Sequence, residues 1–275
     1  MSMKKINSLL IGLILSVGAL FTCFPIYMAV VNSFKTQGEM FASFVALPTK
    51  LHFENYTQAF EKIHLLNSSM NSVIVSVLGI GGIVFCSALA GYKLSRTRGK
   101  LSNFIFLLFV ASMLVPFHSI MIPLTRMAKT MQVQGSTYGL ALIYIGLGVN
   151  MAIFLYHGFV KSIPRELEES GQIDGCNEFQ TFFRIILPLL LPITVTIAIL
   201  DFLWIWNDFL LPLMMLTDVD NYTLILSTNM LFGEYNKEWS LILASLVLTA
   251  IPVVVIYGFF QRFIMEGIAE GAVKG

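Results

Sequence analysis

Charge is what this 275-residue chain has least of: charged side chains make up 12% of it, where an ordinary soluble domain carries about 25%. With 56% hydrophobic residues and a mean hydropathy of +0.79, that scarcity excludes a soluble globular domain and marks an integral membrane protein. Cysteine is scarce as well. Cys23, Cys86 and Cys176 are odd in number and scattered, so neither a disulfide framework nor a metal site follows. The four histidines, His52, His64, His118 and His157, lack ligand spacing and read as structural or surface residues. A Gly-Lys-Ser/Thr phosphate loop, a nucleophile elbow and a zinc-binding helix motif are all missing. The sequence therefore assigns no catalytic, cofactor-binding or metal-binding residue, and any energy the chain uses has to come from a partner.

What the chain has is long apolar runs. A helix crossing the hydrocarbon core needs about 20 mostly apolar residues. Six segments qualify: 7–31, 69–92, 101–124, 137–160, 188–212 and 240–262. The third is the loosest, because Pro116 and His118 interrupt it. The first follows Lys4 and Lys5 but is far longer than a secretory signal core of about 7–15 residues, so it reads as an uncleaved anchor. Placing the N-terminus inside puts eleven of the seventeen Lys and Arg residues on the cytoplasmic side, including Lys93, Arg96, Arg98 and Lys100. Both termini are then cytoplasmic. Small residues recur within the spans, Gly79, Gly82, Ala88 and Gly91 in the second, as expected where helices associate by close van der Waals approach.

A polar island lies between the fourth and fifth spans. Five of the sixteen acidic residues fall between Glu166 and Glu178. Ser162 and Pro164 suit the start of a short helix, with Glu166, Glu168 and Glu169 near its positive end. Ile163, Leu167 and Gly171 are spaced four apart, forming a narrow apolar ridge. Asp174-Gly175 is a turn signal, and Asn177 three residues before Gln180 suits the capped start of a second helix.

Inside the fifth span, Asp201 is expensive in lipid and needs a partner or a watery path. Trp204 and Asp208 share its helical face, with Asn207 at the border. A carboxylate beside an indole suits a sugar, whose hydroxyls donate to the one while its C–H face lies on the other. Asn71, Ser72, Ser76 and Asn150 are possible facing partners on the second and fourth spans. Interhelical hydrogen bonding for Asp201, and an interfacial role for Asp208, stand as alternatives.

The pattern Glu-x-x-x-x-Asp-Gly from Glu169 to Gly175, with the Ile-x-Leu-Pro-like ending at Pro188, resembles the EAA loop of the membrane subunits of binding-protein-dependent ABC importers. The Glu-Ala-Ala core reads Glu169-Ser170-Gly171 here, both replacements being small. Trp206-Asn207-Asp208-Phe209 before Pro212, Asn71-Ser72, and the tail ending Gly271-Ala272-Val273-Lys274-Gly275 resemble the carbohydrate importers, in particular the shorter permease of maltose-type systems.

The resemblance implies an all-α, six-transmembrane-helix type I ABC importer permease with a cytoplasmic coupling loop, in a bacterial inner membrane. Residues 1–66 would hold the N-terminus, first span and extracytoplasmic loop, 67–262 the permease core with the coupling loop at 161–187, and 263–275 a cytoplasmic tail. It further implies a second homologous permease, two ATPase subunits that bind ATP and Mg, and an extracytoplasmic substrate-binding protein. No nucleic-acid partner is implied. Ile163, Leu167, Glu169, Gly171, Asp174 and Gly175 would couple to the ATPase, Asp201, Trp204, Asn207, Asp208 and Asn71 would line the substrate pathway, and Gly271 to Gly275 would contact the ATPase subunits. The segments 34–67 and 213–239 would form a landing surface for the binding protein, or plain connectors. The expected substrate is an oligosaccharide. A polyol or glycerol phosphate permease, and an ion-coupled secondary transporter, are the alternatives.

Overall fold

A computed structural model describes residues 3–233 and 238–272, with side chains over 10–232 and 238–258. Among the described residues every regular element is a helix. Four helices are long and apolar enough to cross a membrane: α1 (Met3–Ser33), α4 (Leu65–Arg96), α7 (Thr137–Lys161) and α14 (Trp239–Ala272). Between them lie α2 (Gln37–Ala42), α3 (Glu54–Lys62), α5 (Lys100–Ser112), α6 (Phe117–Thr130), α8 (Glu166–Ile173), α9 (Glu178–Thr181), α10 (Leu187–Leu189), α11 (Leu191–Asn207), α12 (Leu210–Met215) and α13 (Leu224–Met230).

The two spans that sequence reads as single helices, 101–124 and 188–212, are broken pairs. Helices α5 and α6 meet at 103°, with Pro116 in extended conformation at the N-cap of α6. The fixed ring of proline fits a helix start and disfavours a helix through it. The second pair runs from Glu178 through a π-helical turn, Phe182–Ile186, to Leu189, then bends by 72° into α11. Pro188 and Pro192 flank that bend, and α11 stops at Asn207. With each pair counted as one span, the described residues hold six candidate spans. The last helix continues to Ala272, into the segment from residue 263 that sequence assigns to a cytoplasmic tail.

The described residues divide into two compact units. One combines the chain up to Leu65 with Ser227–Val255. The segment 34–67 holds α2 and α3. Thr36 and Glu39 form a reciprocal capping box at the start of α2. The following turn is fastened by a buried polar knot in which Lys35, 1% exposed, donates to Asn32 Oδ1 at 2.9 Å and to Ser43 O at 2.8 Å. Asn55 donates to the carbonyls of Ser33 and Lys35, and Tyr56 shares a 2.6 Å hydrogen bond with Ser33. Burial of an ammonium is tolerable because its donors find acceptors.

The other unit comprises Leu66–Leu226 and the chain from Ile256 onward. Helix α7 is its axis, with α5 and α11 packed along it. Tyr144, Tyr156, Leu140 and Val160 of α7 are fully covered in the core, together with Ile83 of α4 and Ile197 of α11. At Gly91 the second and fourth spans come close enough to touch backbone: a Cβ there would lie 2.6 Å from Tyr156 Cβ and 3.1 Å from His157 N. That approach is what the small residues of α4 permit.

Candidate functional site

The polar island folds as a helix, a sharp corner and a second helix. Ser162 does not open the first of them. Its hydroxyl donates back to Phe159 O at 2.7 Å and closes α7, while α8 begins at Glu166 with no side-chain cap. At the other end α8 stops by a Schellman motif: Cys176 N–H donates to Gly171 O at 2.9 Å and Gly175 N–H to Gln172 O at 3.0 Å. Gly175 has φ +85°, the left-handed conformation that a Cβ disfavours. Asn177 and Gln180 then form the expected capping box, with exchanged bonds of 2.9 and 3.0 Å. Two caps back to back make a stiff corner.

The ridge expected of α8 faces two ways. Ile163 is buried in the chain's own core, and Gly171 is buried with its Cβ position 2.4 Å from Ile185 Cδ1. Leu167, 43% exposed, looks outward. It is joined on the open surface by Ile173 at 87% and Phe179 at 73%, which sequence did not single out. Glu169 and Asp174 are exposed. Glu168 is not: it is 8% exposed and holds Arg96 Nε at 2.6 Å.

A cavity of about 690 Å³ opens where the α5–α6 break meets α7 and α11. Ser112, His118, Asn150, Met151, Trp204 and Asp208 are on its wall. Asp208 follows the last turn of α11 with extended backbone; its Oδ1 accepts from Leu210 N–H at 2.9 Å and its Oδ2 from the Tyr144 hydroxyl at 2.9 Å. Trp204 stands edge-on to Tyr144, with ring centroids 5.3 Å apart. The wall thus offers an indole, a fixed carboxylate, a carboxamide and a hydroxyl to a solute, and among the described residues no Lys or Arg.

The other expected pathway residues lie elsewhere. Asn207 is exposed and donates to Leu203 O at 2.8 Å, within its own helix. Asn71 donates to the carbonyls of Asp220 at 2.7 Å and Tyr222 at 3.1 Å, fastening a turn to the head of α4. Asp201 is buried, and its Oδ2 has no hydrogen-bond partner among the described residues. His118, read from sequence as structural or surface, reaches the cavity because the break at Pro116 turns α6 toward it. Gly271 and Ala272 end α14, and Val273, Lys274 and Gly275 lie outside the described residues.

The family described as binding-protein-dependent transport system inner membrane component matches residues 82–269. The chain belongs to this family. It is a multi-pass inner-membrane permease of the ABC importer class, and the ion-coupled reading is set aside. Over 91% of both chains it is 40% identical to a probable starch degradation products transport system permease of Thermoanaerobacterium thermosulfurigenes. Identity is 34% to the melibiose/raffinose/stachyose import permease of Bacillus subtilis, over 91% of both chains. It is 32% to a multiple sugar-binding transport system permease of Streptococcus mutans, over 98% of this chain and 99% of that one. Among solved structures, a bacterial ABC transporter involved in the import of the acidic polysaccharide alginate superposes with a TM-score of 0.82 at 19% identity, covering 95% of this chain and 98% of its own. That likeness supports the type I permease fold.

Proposed function

We propose that this permease forms half of the transmembrane pathway of an ATP-driven carbohydrate importer, with an oligosaccharide as substrate. A second, related permease supplies the other half, two ATPase subunits carry ATP and Mg, and an extracytoplasmic binding protein delivers the sugar. Both termini and α8 face the cytoplasm. The substrates named for the relatives are sugars and sugar oligomers.

The observation that carries the reading is the cavity wall: Trp204 and Asp208 stand together on it, held by Tyr144. Its volume falls within the roughly 300–1,000 Å³ of small-molecule sites. Trp204 covers the C–H face of a pyranose, Asp208 accepts from hydroxyls, and Asn150 both donates and accepts. A wall to which the described residues bring no Lys or Arg favours a neutral hydroxylated solute over glycerol phosphate.

Alternating access then needs a handle for the ATPase. Glu169, Leu167, Ile173 and Phe179 present a carboxylate within an apolar surface on α8 and α9. Such a surface suits a cleft bordered by an arginine or lysine, and Asp174 and Gly175 hold its corner. The test is purification from detergent-solubilised membranes of the wild type beside Glu169→Ala, with sugar uptake and ATP hydrolysis measured on each. An ATPase subunit should copurify with the wild type, and the variant should hydrolyse ATP without matching uptake. Recovery of a folded chain with no ATPase overturns the reading.

A further inference from the structure

Glu168 and Glu169 are neighbours on α8 with opposite fates. Glu169 is exposed, whereas Glu168 is nine-tenths covered and fully engaged. Its Oε1 accepts from Arg96 Nε at 2.6 Å and its Oε2 from the Tyr92 hydroxyl at 2.9 Å. The Arg96 guanidinium also donates from Nη2 to Ile163 O at 2.8 Å, and Arg165 Nη2 donates to Arg96 O at 3.2 Å. Tyr92 and Arg96 lie one turn apart on α4, and the Tyr92 ring packs 5.2 Å from that of Phe182 in the π-helical turn. The last turn of α4, the link into α8, α8 itself and the turn beyond it all converge on one ion pair. Lys93 and Glu178, joined at 2.9 Å on the exposed rim, add a weaker strut.

Helix α8 is joined by chain to α7 on one side and to α11 on the other, but α4 ends some seventy positions earlier in sequence. Among the described residues, these side chains carry a displacement of α8 directly to α4. We propose that Arg96 and Glu168, steadied by Tyr92, are a clasp that makes α4 follow α8. They are positioning residues for transport and touch neither substrate nor nucleotide. The proposal rests on the reading that α8 engages an ATPase. A charge-assisted pair with side chains only 12% and 11% exposed, each group with a further hydrogen-bond partner, is short and geometrically fixed. Surface pairs of equal length are looser, because water competes for them. Further along α4, Ile83 sits 2.4 Å from the Cβ position of Gly148 on α7, and the Trp204 indole lies 3.4 Å from the same point. The clasped helix therefore bears on the residues that hold the cavity wall.

The experiment uses the intact complex, purified with its ATPase subunits, carrying spin labels at exposed Thr97, just past α4, and exposed Gln172 on α8. The label separation is measured without nucleotide and after trapping with Mg·ATP and vanadate. In the wild type the two distributions should coincide, because α4 and α8 travel together. In Glu168→Gln the trapped state should shift by roughly 2 Å or more, the scale of helix displacements in switching proteins. Arg96→Glu combined with Glu168→Arg should restore coincidence. Tyr92→Phe, which keeps the ion pair and loses one hydrogen bond, should broaden the trapped distribution without moving its centre. A wild-type separation that changes on trapping, or a Glu168→Gln complex that behaves as wild type, overturns the clasp and leaves the importer reading intact. Absence of a copurifying ATPase overturns both.

Discussion

The hydroxyl of Tyr144 donates to Asp208 Oδ2 across 2.9 Å, tying the first third of α7 to the residue that follows α11. With Leu210 N–H on the other oxygen, the carboxylate is held from two sides and kept at the cavity wall. A solute bound there meets an acceptor whose direction is already set.

Tyr144→Phe removes the lateral bond and keeps the ring that meets Trp204. Asp208 then swings about its remaining bond. Loss of one hydrogen bond to a charged group corresponds to about 1.5–3 kcal/mol at most, so KM for sugar uptake should rise by roughly 10-fold while ATPase copurification is unchanged. Uptake kinetics in whole cells check this, and an unchanged KM would remove Asp208 from the binding wall.

Gly91→Ala should loosen the contact between α4 and α7. The added methyl meets Tyr156 Cβ and the backbone nitrogen of His157, neither the end of a flexible side chain. Overpacking of this kind costs about 1–3 kcal/mol. Gly81→Ala, where nothing lies within 4 Å, is the control and should stay within about 0.5 kcal/mol. Thermal unfolding in detergent distinguishes the two variants.

Glu39 supplies a pH dependence outside the spans. The Thr49 hydroxyl donates to its carboxylate, and the Thr36 backbone N–H does so at 3.1 Å, holding the acid below its ordinary value of 4.5. A carboxylate favoured in the folded state stabilises above that ordinary value, and the contribution is lost as pH falls through the lower folded one. Amide exchange in α2, corrected for intrinsic rate, should therefore accelerate as pH drops below 4.5. Glu39→Gln should flatten the response, and an equal response in both would remove Glu39 as its source.

Local chemistry was readable and rotation was not. Asp174-Gly175 and the pair Asn177 and Gln180 act within a few residues, so their turn and capping box follow from sequence. Ser162 carried a valid capping signal, but its hydroxyl had a nearer acceptor in the carbonyl of Phe159. The spacing of Ile163, Leu167 and Gly171 identifies a stripe without saying what it meets. Which of Glu168 and Glu169 turns inward is decided by Arg96 and Tyr92, whose positions depend on how α4 packs. His118 shows the same limit, since only the bend after α5 brings it to Asp208's cavity.

The α5–α6 break has a further effect. Helix α5 stops at Ser112 in a tight turn that closes its own end: the N–H groups of Met113, Leu114 and Val115 donate to the carbonyls of Val110, Ala111 and Ser112 at 3.2, 3.1 and 3.2 Å, and the Ser112 hydroxyl donates to Phe109 O at 2.6 Å. In lipid such backbone survives only where protein buries it or water reaches it, and here Met113, Val115 and Phe117 border the cavity. The α5 end of the bend is thus held by its own main chain. The turn that brings His118 to the cavity wall therefore draws on neither solute nor solvent to close the end of α5.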